Sequence, residues 1–271
     1  MTEKKAPERR GKPARPKGKP GGARPPARPI KSEGGVWIYG RHAVAAALAN
    51  PTRKVKRAVA TKNAADWLKE AGASDAALAR LEDYRPDAID RILPEGAVHQ
   101  GLAVLTEELP RARLKDVCAP AEQGRPVLVL DQITDPQNIG ALFRAAAAFN
   151  ARAVIVQERR TPPLAGALAK AAAGAIEILP CVDVVNIARA LEALKNLGYH
   201  CGGLAGEGAA DIADLPNAPL ALVMGAEGAG LRQLVAATCD ALYRIPISRE
   251  VESLNVSTAA AIALYEARRT R

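Results

Sequence analysis

The sequence predicts an α/β protein whose larger part is a parallel sheet with helices on both faces. Three observations carry that expectation. From Arg125 onward, short apolar strands alternate with helix-spaced segments. The strands, such as Val127-Leu128-Val129-Leu130 and Leu220 to Met224, are continuously apolar, as strands covered on both faces are. Apolar residues make up 48% of 271, enough for a packed core in one large or two modest domains.

Taken in order, residues 1–35 are rich in Pro, Gly, Lys and Arg with almost no large apolar side chains. Such a stretch cannot bury enough surface to offset its ordering entropy, so a disordered basic tail is expected. Residues 36–109 read as a small α/β unit. Val36 to Tyr39 is a strand, Gly40 breaks it, and the Ala-rich run Arg41 to Ala49 is helical until Asn50-Pro51. Val55 to Thr61 is a strand, Ala64 to Ala71 and Pro86 to Leu93 are helical, and His99 to Leu105 closes the unit with a turn and a strand. Residues 110–124, broken by Pro110, Pro120 and Gly124, read as a linker. Residues 125–271 form the second domain. Its strands are expected at Pro126–Leu130, Ala153–Val156, Ile176–Leu179, Tyr199–Leu204, Leu220–Met224 and Ala241–Ile247. Its helices are expected at Asn138–Phe149, Leu164–Ala173, Val184–Leu197, Gly230–Ala237 and Asn255–Arg269.

Composition excludes several classes of function. No apolar run reaches the ~18 residues of a membrane span, and no apolar core follows the N-terminal charges as in a secretory signal. Aromatics are 3%, too few for recognition built on an aromatic stacking platform. Cys118, Cys181, Cys201 and Cys239 are scattered without a C-x-x-C pair and read as reduced core thiols of a cytosolic protein, ahead of a zinc site. His42, His99 and His200 are too far apart for a metal cluster, so no metal is expected. The net charge is +9, of which residues 1–35 contribute +8. A basic arm on a nearly neutral body is the electrostatic footprint of a polyanion binder, or of a solubility tail.

Three loops leave the carboxyl ends of expected strands, where open parallel sheets bind ligands. Asp135-Pro136-Gln137-Asn138-Ile139-Gly140, with Arg144 beyond it, opens one helix. Met224-Gly225-Ala226-Glu227-Gly228-Ala229-Gly230 follows a buried strand. Ile245 to Ser257 leads into the last helix. The glycine spacing matches neither a dinucleotide fingerprint nor a phosphate-cradling P-loop, and there is no G-x-S-x-G elbow. What remains is a site with an Arg, two Asn, a Glu and a Ser.

These stretches resemble a family. Asp135-Pro136-x-Asn138-x-Gly140-x-x-x-Arg144-x-Ala146, Met224-Gly225-x-Glu227-Gly228, and Ile245-Pro246 with Ser253-Leu254-Asn255-Val256-Ser257 are similar, in order and separation, to the three motifs of the SpoU/TrmH branch of the SPOUT RNA methyltransferases. Ile38-Tyr39-Gly40-x-His42-Ala43-Val44 and His99-Gln100-Gly101 resemble the substrate-binding domain, related to ribosomal protein L30e, of the subgroup that methylates a 23S rRNA guanosine ribose. The resemblance spans about residues 36–269. It implies a SPOUT domain with a C-terminal trefoil knot, S-adenosyl-L-methionine as cofactor and a homodimer. In that homodimer Ala259, Ala260, Ile262, Ala263 and Leu264 would offer an apolar surface to the partner.

The resemblance also implies roles for single residues. Arg144 holds an RNA phosphate in its guanidinium fork. Family proposals make this Arg the general base; the near-permanent guanidinium charge favours positioning the 2′-hydroxyl and lowering its pKa instead. Asn138 orients Arg144 or the ribose, and also suits a helix N-cap. Glu227, Asn255 and Ser253 hydrogen-bond loop backbone or substrate, and would stabilise turns in any case. Backbone at Gly225, Ile245 and Leu254 contacts the cofactor. Where the family often has Gly, four residues before Ser253, this chain has Arg249. His42 and His99 are expected to be buried and hydrogen-bonded. Two other readings compete: the same chemistry on tRNA, against which the accessory unit argues, and a non-catalytic ribosome-assembly protein, against which the intact motif residues argue.

Overall fold

Apolar runs punctuated by Gly, Pro and Asn set the order of the elements. The computed structural model describes Thr2 and residues 34–269, so the expected tail lies outside the described residues except for Thr2, Gly34 and Gly35. The chain begins with β1 (Val36–Tyr39), α1 (Arg41–Ala49), β2 (Val55–Ala60), α2 (Lys62–Glu70), α3 (Asp75–Leu78), β3 (Leu81–Asp83), α4 (Pro86–Ile92) and β4 (Leu102–Thr106). These form a four-stranded sheet in the order β1-β4-β2-β3. β4 runs antiparallel to both its neighbours, and β3 is parallel to β2.

The second part continues with α5 (Leu114–Cys118), β5 (Val127–Leu130), α6 (Pro136–Ala148), β6 (Ala153–Gln157), α7 (Gly166–Ala172), α8 (Ala175–Ile178), β7 (Cys181–Val184) and α9 (Ile187–Asn196). It ends with β8 (His200–Leu204), β9 (Ala210–Asp211), β10 (Leu220–Met224), α10 (Gln233–Thr238), β11 (Ala241–Arg244) and α11 (Val256–Arg269). The strands make a seven-stranded sheet, β7-β6-β5-β10-β8-β11-β9, in which every pairing is parallel. Successive side chains of a strand point to opposite faces. Leu128 and Leu130 accordingly join the core beneath α6, α7 and α11, and Val127 and Val129 join the core beneath α9 and α10. The expected parallel sheet with helices on both faces is what forms.

The differences have physical causes. Ile176 to Leu179, read as a strand, holds α8, and the strand is Cys181–Val184, where a helix was expected to begin. A short apolar run does not separate strand from buried helix. Here Gly174, in the left-handed conformation, starts a fresh helical turn. The stretch read as a linker is a docked element. Ala112 bridges to Val182, Cys118 is fully buried, and Arg152 donates to the carbonyls of Val117, Ala119 and Pro120. Of the α11 residues expected to face a partner, Ala259 and Ile262 are half-buried and the other three are turned inward. Ala260, Ala263 and Leu264 are fully buried in this chain, where α11 packs on α6.

The two sheets share a core. α7 packs on α6 and also on β1, and α1 packs on α7 and α8. Across this seam Arg53 and Glu177 form a buried ion pair at 2.5 Å, their side chains 1% and 2% exposed. Arg53 Nη1 also donates to Glu107 O, and Asn50 Nδ2 to Glu177 Oε2. All four cysteines are free, and burial pushes the thiols up, Cys118 to about 11 and Cys181, Cys201 and Cys239 to about 12.

Candidate active site

The order of the strands creates the site. After β7 the chain returns to the opposite side of β5, and β10 inserts between β5 and β8. The carboxyl ends of β5, β8, β10 and β11 therefore open toward one region, the place where α/β sheets bind ligands. A cleft of about 760 Å³ lies there, lined by the loops after β8, β10 and β11 and the start of α11. Gly225, Glu227, Ile245, Ser253, Leu254 and Asn255 all line it.

Asn255 is the junction of the three loops. Its Nδ2 donates to Asn138 Oδ1 at 3.0 Å and to Glu227 Oε1 at 2.7 Å. Its Oδ1 accepts from Ser257 N at 2.9 Å and from Ser257 Oγ at 2.5 Å. Glu227 Oε1 also accepts from Val256 N at 3.3 Å. One amide thus caps α11 and ties it to the loops before α6 and after β10. Asn138 is not the cap of α6. Asp135 does that, accepting from Gln137 N and Asn138 N, with Pro136 in the first turn. The Asn138 side chain is thereby free to meet Asn255.

Two glycines are required by close approach. A Cβ on Gly225 would stand 2.2 Å from Gly230 C, because the 225–230 loop folds back on itself. A Cβ on Gly140 would stand 2.5 Å from Leu168 O, so that motif glycine serves the packing of α6 on α7. The bare backbone at Gly225 and a lining that mixes Leu204, Ile245 and Leu254 with Glu207, Glu227 and Glu252 suit a ligand with an apolar ring system and a cationic end. Among the described residues, no group of three or more His, Cys, Asp or Glu is arranged to hold a metal ion.

Of the expected residues, Asn138 and Arg144 do not line the cleft, whereas Ser253 does. Arg144 is exposed on α6. Ser253 is exposed in the loop over the cleft. Arg249 lines the cleft from that loop as well. In the first unit, His99 is nearly buried as expected, its Nδ1 accepting from Gly101 N and its Nε2 3.2 Å from Asp90 Oδ1. His42 is exposed instead, with its ring edge against Trp67. Gln100 Oε1 accepts from Arg41 N at the start of α1, so these N-terminal motif residues hold the small unit together.

A model described as the SpoU rRNA Methylase family matches residues 125–265. The chain belongs to the SpoU rRNA methylase family. A second model, RNA 2′-O ribose methyltransferase substrate binding, matches residues 37–112. Among curated relatives of this SpoU chain, a protein of Vibrio cholerae named 23S rRNA (guanosine-2′-O-)-methyltransferase RlmB is 40% identical over 86% of this chain and 96% of its own. A Pseudomonas putida protein of the same name is 38% identical over 86% and 96%. Among solved structures, an rRNA methyltransferase from Sinorhizobium meliloti superposes with a TM-score of 0.71 at 25% identity, over 88% of each chain. The SpoU methyltransferase AviRb from Streptomyces viridochromogenes, solved with AdoMet, has the same fold, with a TM-score of 0.71 at 24% identity over 88% and 91%.

The SpoU cleft also contains residues the sequence reading missed. Leu204, Ala205, Gly206 and Glu207 line it after β8. Their signal was a Gly-bearing loop at the end of an expected strand. Tyr243 lines it from β11, its hydroxyl 2.9 Å from His200 Nε2. Burial raises the Tyr243 pKa, with Asp214 and Asp240 adding to the effect, and burial lowers that of His200 against the pull of Asp240. Both groups are therefore favoured in their neutral forms, and no sequence signal marked either.

Proposed function

We propose that this chain transfers a methyl group from S-adenosyl-L-methionine to the 2′-hydroxyl of a guanosine ribose in 23S rRNA. The observation that carries the reading is the Asn138–Asn255–Glu227 hub, which ties the first motif to the two motif loops that line the cleft. Membership of the SpoU family and the names of the relatives from Vibrio cholerae and Pseudomonas putida support the reaction and the substrate. When bound, S-adenosyl-L-methionine supplies an electrophilic methyl that the ribose oxygen takes as the carbon–sulfur bond breaks. The chain's own task is to align the oxygen and dispose of its proton. Glu227 and Asn255 hold the cleft in shape, Gly225, Ile245 and Leu254 present backbone to the cofactor, and Ser253 faces the substrate side. Arg144, outside the cleft, binds an RNA phosphate next to the reacting ribose, and that phosphate or a water takes the proton.

Further parts of the proposal rest on the resemblance. Residues 36–109 form an L30e-like domain that binds RNA, residues 110–124 join it to the methyltransferase domain at 125–271, and the C-terminal part of that domain forms a trefoil knot. The protein works as a homodimer in the cytoplasm, free of the membrane. Among the described residues no helix is long and apolar enough to cross one. Mapping ribose methylation across rRNA and tRNA in a deletion strain tests the function. The expected outcome is loss of one 23S guanosine methylation, restored by the intact gene. Loss confined to tRNA would move the reading to tRNA, and no loss anywhere would leave a non-catalytic assembly protein.

A further inference from the structure

We propose that Asp131 is a positioning residue that clamps shut the cofactor loop between β10 and α10. The proposal rests on the reading of the cleft as the S-adenosyl-L-methionine site. Asp131 follows β5 directly and lies outside the three motif stretches. Its side chain is fully buried. Its backbone N donates to Met224 O at 2.8 Å, at the point where the loop begins. Its carboxylate accepts from Arg232 N at 3.0 Å and from Arg232 Nε at 2.9 Å, and Arg232 Nη2 stands 2.6 Å from Oδ1. Arg232 is where the loop ends, at the N-cap of α10. One residue therefore holds both ends.

Between those ends the loop makes a few contacts of its own. Ala226 bridges to Gly230, and Gly230 N donates to Ala226 O at 2.8 Å. Glu227, at the turn, reaches across to Asn255 and Val256 N. A chain with glycines at 225, 228 and 230 has many open conformations, so its closed form depends on where its ends are pinned. A buried carboxylate is costly unless it is paired and hydrogen-bonded. Among the described residues the hydrogen-bond partners of the Asp131 side chain come from Arg232, so the energy of satisfying that charge is tied to one loop geometry. Neither Asp131 nor Arg232 lines the cleft. Their effect passes through the backbone of residues 225–231, which presents Gly225 and Glu227.

The test uses the full chain and three variants, Asp131→Asn, Arg232→Gln and Arg232→Lys. S-adenosyl-L-methionine affinity is read by calorimetry, amide hydrogen exchange over residues 225–232 by mass spectrometry, and folding by thermal unfolding. Asp131→Asn should weaken cofactor binding about tenfold, the scale of one lost charge-assisted hydrogen bond. Its loop amides should exchange faster, and KM for the cofactor should rise more than kcat falls. Arg232→Gln should act in the same direction, and it serves as the probe if Asp131→Asn does not fold. Arg232→Lys, which keeps the charge, should recover most of the affinity. Folded Asp131→Asn or Arg232→Gln protein with unchanged cofactor affinity and unchanged loop exchange would overturn the clamp, even if its unfolding temperature fell. Should the unaltered protein fail to bind S-adenosyl-L-methionine, the reading of the cleft falls, while faster loop exchange in the variants would still uphold the clamp.

Discussion

Asn255 uses both donors of its side-chain amide and doubly occupies its oxygen, so its orientation is set by four contacts at once. Arg144 is the opposite case, an exposed cation outside the cleft. That contrast separates their expected variants. Arg144→Ala should slow methyl transfer by about 100-fold, the cost of a misplaced reacting group, and leave cofactor affinity within about twofold, far below the ~1.4 kcal/mol of a tenfold change. Single-turnover rates and calorimetry on the same protein check both, and equal losses of rate and cofactor affinity would contradict the assignment. Residue types in the three motifs made Asn138, Glu227 and Asn255 legible in the sequence. The bond between Asn138 and Asn255 was not, because 117 positions separate them and only the strand order brings them together. Asp131 was illegible for the same reason: its partner lies 101 positions away.

Elements with a long period were readable, and short ones were decided by their neighbours. α6 and α11 announced themselves by helical spacing, and the buried strands β5 and β10 by continuous apolar runs. The four-residue α8 did not, because one helical turn has no period to read. Its Glu177 then turns out to anchor the seam between the sheets. Removing one partner of a buried ion pair strands the other charge. Arg53→Ala should therefore destabilise the protein by roughly 3–5 kcal/mol. Replacing both residues by apolar ones of similar volume should be far milder. Denaturant unfolding of the single and double variants checks this, and an Arg53→Ala protein as stable as the parent would show the pair to be idle.

At the scale of the whole molecule, charge and chemistry are separated along the chain. Residues 1–35 carry +8 of the net +9. They should add affinity for RNA without touching the reaction. Each phosphate neutralised contributes roughly −0.7 to −0.9 to the slope of log K against log salt. A chain starting at Val36 should therefore bind RNA more weakly at low salt, with a flatter salt dependence, and should match the full chain at high salt. Binding isotherms at several salt concentrations check it, and identical slopes would make the tail a spectator. The shared seam acts on a different axis, time. A ribosome makes α1 and Arg53 well before it makes α7, α8 and Glu177. At ~5–20 residues per second, roughly 6–23 s separate Ala49 from Gly166. Until those helices are made, the flank of α1 is uncovered and the charge of Arg53 lacks its Glu177 partner. The first unit is completed only by helices synthesised later, which ties its maturation to translation of the second.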